Sequence, residues 1–82
     1  MAHFAKIENN TVVEVIVVSN DDCGGGTFPE SEIKGQEFIA SCGIEGLWLQ
    51  TSYNANFRGK YAAISDLFDV EANEFVSATV EP

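Results

Sequence analysis

Basic residues are scarce in this 82-residue chain. Lys6, Lys34, Arg58 and Lys60 face thirteen acidic residues, for a formal charge of -9. Four scattered cations cannot form the clustered patch that a phosphate backbone requires, so direct nucleic-acid binding is excluded as an expectation. The acidity is read first as solvation, because the carboxylates are scattered and do not form rows. Histidine is rarer still: His3 stands alone. Any Ser/His/Asp or Cys/His catalytic arrangement would have to use it, and no nucleophile motif flanks it. Asp21-Asp22 is the only adjacent pair of carboxylates, and it falls in a Gly-rich stretch without the rigid setting that acid–base work needs. No enzyme is expected.

Metal and cofactor signals are also missing. Two cysteines, Cys23 and Cys42, lack a matching His or Cys pair. The run Asp21-Asp22-Cys23-Gly24-Gly25-Gly26-Thr27 is not followed by the Lys-Ser/Thr of a phosphate-binding loop. Long apolar runs are absent: Val12 to Val18 is far short of the roughly 18 residues that span a bilayer, and Glu14 interrupts it. Neither a membrane span nor a secretory leader is expected, and on that ground free thiols are favoured over a Cys23–Cys42 bridge.

What is present reads as one small domain, 1–82. Hydrophobic residues make up 45% and charged residues 21%, so the chain should fold. Thr11 to Val18 is dense in β-branched residues, which fit a pleated sheet. Asn9-Asn10 lies between two apolar runs, and asparagine tolerates the positive φ of a two-residue hairpin turn. A hairpin over 2–19 follows, pairing Ile7 with Val12 and Phe4 with Val15. Both faces of it are apolar, which places it inside a sheet or against a partner. A Gly-rich connector occupies 20–30. The helix is expected at 32–42, with Ser31 as N-cap and Ile33, Phe38, Ile39 and Cys42 as its apolar stripe. Gly35 should weaken its first turn by about 1 kcal/mol relative to Ala. Gly43 is placed as the left-handed residue that ends it, with Ile44 folding back on Ile39. Residues 47–53 alternate as a strand, and 61–80 form a second hairpin that sets Phe68 opposite Phe75 across Asp69–Asn73. The fold class is α+β: an antiparallel sheet of about five strands, in the order ββαβββ, with one short helix packed on it.

The stretch from Trp48 to Tyr61 is chemically distinct. It holds the only Trp, both Tyr and two of the four cations. Trp48, Tyr53, Phe57, Arg58 and Tyr61 are residue types enriched at interface hot spots, and Gln50, Asn54 and Asn56 place donors and acceptors among them. These eight are the candidate partner-binding residues. The competing reading makes Trp48 and Tyr61 core and the amides turn residues.

Several blocks resemble a family of small tailed-bacteriophage proteins, common in marine phages such as cyanophages. They are Met1-Ala-His-Phe-Ala-Lys-Ile-Glu8, the Val-rich second strand, Phe38-Ile-Ala-Ser41 with Gly43, Trp48-Leu-Gln-Thr-Ser-Tyr-Asn54 and Arg58-Gly-Lys-Tyr-Ala62 with Ile64. The closing Asp69 and Glu74-Phe-Val76 complete the set. Longer members continue into a Pro- and Trp-containing tail that this chain lacks. The resemblance implies a phage origin and a virion-associated, non-enzymatic role, binding a larger virion protein or itself as a capsid-decoration or tail-associated subunit. The acidity supports an alternative, an intracellular phage protein that binds and modulates a host protein. The corresponding locations are the virion or the host cytoplasm.

Overall fold

The computed structural model describes residues 2–77. Strand β1 (Ala2–Glu8) and strand β2 (Thr11–Val18) form the first hairpin. Asn9 and Asn10 take φ of 53° and 60°, as a turn matching the right-handed twist of the strands requires. Helix α1 spans Glu30–Ser41, β3 spans Leu47–Thr51, and β4 (Leu67–Asp69) and β5 (Glu74–Val76) form a short second hairpin. All pairings are antiparallel, in the order β3-β1-β2-β4-β5. The α+β class and the five-stranded sheet with one helix are as the sequence implies.

β1 lies second in the sheet and carries buried side chains on both faces. The face toward α1 holds Ala2, Phe4 and Val18 with Trp48 from β3, closed by Ile39 of the helix and by Cys23. The opposite face holds Ala5, Ile7 and Val12, covered by Ala62 and Phe75 with Phe68 and Leu49 beside them. The chain therefore covers much of its own second face, and of the two placements open to this hairpin, inside a sheet or against a partner, β1 takes the first. Val17 remains half exposed there, at 50%.

The register departs from expectation by one residue. Ile7 pairs with Val12, but Lys6 pairs with Glu14 and Phe4 with Ile16 instead of Val15. Val13 is the extra residue of a bulge, and the slip carries every later side chain of β2 to the other face. Phe4 thus shares its face with Ile16 and Val18, and Ala5 shares its face with Val15.

The helix presents a different stripe from the one expected. Its buried residues are Ser31, Gly35 and Ile39, with Phe38 partly buried against the same cluster; Ile33 is 58% exposed and Cys42 is exposed. Ser31 is not the N-cap, which falls at Pro29. Gly35 explains the rotation. A Cβ there would stand 2.2 Å from Cζ of the fully buried Phe4 ring, so the helix rests on that ring through a position where nothing larger fits. At the other end Gly43 adopts φ 80°, and the Ile44 N–H donates to the Ile39 carbonyl, the expected fold-back.

Two further differences concern loops. The connector after β2 includes a short 3-10 helix, Asn20–Cys23, whose first turn is capped by the Ser19 hydroxyl and whose Cys23 is buried. Residues 61–66 are not strand: Ser65 takes φ 81°, and the Ala63 N–H donates to the Asp66 carboxylate, closing a tight bend. Phe68 does pair with Phe75. The last three residues of the expected final strand, 78–80, lie outside the described residues.

Candidate functional site

The alternation of β3 divides the Trp48–Tyr61 stretch between interior and surface. Trp48 and Gln50 point toward the helix, and both are buried, at 4% and 7% exposure. The indole Nε1 donates to the Glu45 carbonyl at 3.1 Å, so the ring is a core side chain with its one polar atom satisfied. Gln50 accepts from the Ser31 hydroxyl at 2.7 Å through Oε1. Trp48 serves the interior, and Gln50 lies largely buried behind it, reaching only a cleft on the helix side.

Arg58 is also internal. Its guanidinium forms a two-pronged ion pair with Glu32, donates to the Gln50 carbonyl at 2.9 Å, and through Nε donates to Asn73 Oδ1 at 3.0 Å. It lies over the rings of Phe28 and Phe68, at 5.0 and 5.6 Å from their centroids. The planar fork of arginine suits this many simultaneous contacts, and a point-like ammonium would not. The side chains of Arg58 and Glu32 keep only 8% and 14% exposure.

The position of Arg58 has a topological effect. β3 is one edge of the sheet and β5 the other. On the outer edge of β3, the Gln50 N–H donates to Glu32, the Gln50 carbonyl accepts from Arg58, and the Trp48 carbonyl accepts from Gln36 Nε2. On β5 the Phe75 N–H donates to the Arg58 carbonyl at 2.9 Å. One residue therefore touches both edges, so the sheet curls until its two rims meet the same segment. Unpaired strand edges invite pairing with other chains, and here their polar groups are largely occupied from within.

The bend between β3 and Arg58 is built from short-range bonds. Ser52 accepts from the Ala55 N–H through its carbonyl and from the Asn56 N–H through its hydroxyl, and Ala55 takes φ 58°. Asn54 and Asn56 are exposed at this bend, as turn residues. Phe57 is half-buried, stacked on Phe28 with centroids 4.0 Å apart and planes 7° from parallel.

Tyr53 and Tyr61 face outward on the other side. Tyr53 is 68% exposed and stacks on His3 at 5.5 Å; Tyr61 meets both edge-on, at 5.3 Å from Tyr53 and 5.5 Å from His3. Val17 is the direct cross-strand neighbour of His3. Burial under the tyrosines lowers the His3 pKa, with the positive N-terminal amine adding to the effect. The shift favours the neutral imidazole as the third ring of this surface cluster. In the sequence His3 is weighed only as a catalytic candidate; its ring partners, 50 and 58 residues further along the chain, offer no local signal.

A cleft of about 480 Å³ opens on the helix side, lined among others by Cys23, Phe28, Ser31, Gln50 and Phe57, and not by His3. Burial pushes the Cys23 thiol pKa up, and the Asp22 carboxylate raises it further, so this thiol is a poor nucleophile. Cys23 and Cys42 are both free. Among the described residues no three His, Cys, Asp or Glu side chains gather as metal ligands, and no helix is long and apolar enough to cross a membrane. No family model, curated protein or solved structure matches the chain.

Proposed function

We propose that this is a non-enzymatic accessory protein that binds a larger protein of a phage particle through the His3–Tyr53–Tyr61 cluster and the adjoining Val17. The observation that carries the reading is the exposed, mutually stacked aromatic cluster. Tyrosines fixed by ring contacts lose little freedom on binding and present large amphipathic area. Arg58, Trp48 and Gln50 support this surface from inside by fixing both ends of the bend that carries Tyr53. The resemblance to small tailed-phage proteins points to the virion as the place of that partner.

Protein inventory by mass spectrometry of purified particles tests the location. Recovery in a fixed ratio to a structural protein is expected. Its absence from washed particles, with the protein present in the infected lysate, would refute the virion role and favour the acidic host-directed alternative.

A further inference from the structure

We infer that the cleft between the 3-10 helix, the first turn of α1 and the Asn56–Phe57 bend is a binding site for a neutral planar amide. Its floor is the Gln50 side chain, more than nine-tenths buried. Gln50 Oε1 is occupied by the Ser31 hydroxyl, whereas Nε2 donates to no group among the described residues. It is not sealed from solvent either, since no fully enclosed side-chain nitrogen or oxygen lacks a partner. Nε2 is therefore reachable from the cleft, where a ligand's carbonyl can take the place of water as its acceptor. Ser31 Oγ, spending its hydrogen on Gln50, keeps lone pairs to accept in turn. The two groups sit side by side, a donor next to an acceptor. Their complement is a carbonyl next to an N–H, the edge of an amide or lactam.

The walls define the rest of the ligand. Phe28 and Phe57, stacked on one another, give an apolar planar surface, and Cys23 adds a protonated thiol. Among the described residues no carboxylate, ammonium or guanidinium lines the cleft. A cation would find no counter-charge in it, and an anion would approach a chain of charge -9. A volume of about 480 Å³ suits a compact small molecule or one inserted side chain. The amide is common to two sources, a free aromatic amide and a glutamine side chain presented by a protein. This site lies apart from the aromatic cluster and does not depend on the partner proposed for it.

Titration of the isotopically labelled protein with benzamide, and separately with N-acetylglutamine methylamide, tests the site by NMR. At millimolar probe the Gln50 side-chain NH₂ resonances should move, with Ser31 and Thr27. Gln50→Met should weaken binding about tenfold, the factor one hydrogen bond of ordinary net strength supplies. Gly26→Leu gives a second variant whose fold is safe. Gly26 lines the cleft, a Cβ there meets nothing within 4 Å, and its backbone is outside the left-handed region, so a leucine adds bulk at the cleft wall with no clash at Cβ. Binding should be lost in it. Stronger shifts from benzamide identify a free aromatic amide, and stronger shifts from the glutamine probe identify a presented side chain; both uphold the site. Unmoved Gln50 NH₂ resonances with both probes, or unchanged binding in Gly26→Leu, would overturn it.

Discussion

Replacing Gly35 by alanine separates two opposed expectations. By helix propensity alone, Gly35→Ala should stabilise the chain by about 1 kcal/mol, since glycine in a helix interior loses more backbone freedom than alanine. The packing reverses the sign. The new Cβ would lie 2.2 Å from Phe4 Cζ and 2.7 Å from Cε1, with Cys23 Sγ at 3.0 Å. Carbon atoms rest about 3.5 Å apart, so one partner must move by about 1.3 Å. Phe4 cannot easily retreat: its ring is fully buried and its backbone is paired on both sides, to Ile16 and to Gln50. Overpacking of this kind costs about 1–3 kcal/mol, and this overlap falls at the upper end. Offset by the propensity gain, the net loss is about 2 kcal/mol, a large part of the roughly 4–12 kcal/mol expected for a domain of this length. The midpoint of thermal unfolding should fall by about 8–16 °C. Urea denaturation followed by circular dichroism measures the loss directly. Adding Phe4→Leu should recover part of it, a coupling of about 1 kcal/mol or more in a double-mutant cycle. A Gly35→Ala protein more stable than the wild type would refute the helix placement.

Other perturbations follow from the same structure. Trp48→Ala should cost about 3–5 kcal/mol in urea denaturation, enough to unfold much of the population, and a cost under about 1 kcal/mol would mean the indole is not core. Arg58→Met strands the Glu32 carboxylate in a site 14% exposed and should cost about 3–5 kcal/mol, with Glu32→Gln in the same background restoring a measurable share. Because the His3 pKa is lowered in the fold, the unfolded chain binds the extra proton first. The His3 contribution to stability is therefore complete above the unfolded value of about 6.5 and is lost as pH falls through the window beneath it. The His3 ring protons, followed by NMR, should titrate below that value in the wild type and closer to it in Tyr53→Ala. A thiol reagent should modify exposed Cys42 much faster than Cys23, which is 2% exposed and reached only through the cleft; equal rates would contradict the packing of Cys23.

Features set by neighbours in the chain were legible without coordinates. The Asn9-Asn10 turn, the Gly43 helix end, the alternation of β3 and the Phe68–Phe75 pairing each rest on a few adjacent residues with strong local preferences. Contacts between distant residues decided the rest. The bulge at Val13 shifts the register through a choice that leaves no mark in the residue types, since valine suits either face. The helix buries Ser31 and Gly35, which hydrophobic periodicity cannot find, because the bulk at that interface is supplied by Phe4. Arg58 looked like a surface hot-spot residue because its partner, Glu32, is 26 residues away and nothing local pairs them. Of the eight candidate residues, Trp48, Gln50 and Arg58 are interior, Phe57 and Tyr61 half-buried, and Tyr53, Asn54 and Asn56 open to solvent.

The most direct test of the proposed recognition surface is the amount of this protein retained on purified phage particles when Tyr53→Ala replaces the wild type. Tyr53 is mostly exposed, so the variant should fold and accumulate normally in infected cells. Quantitative mass spectrometry should find it depleted from the particles by about tenfold or more, as truncation of an aromatic hot spot predicts. Wild-type retention of the folded variant would contradict a role for this aromatic cluster in holding the partner.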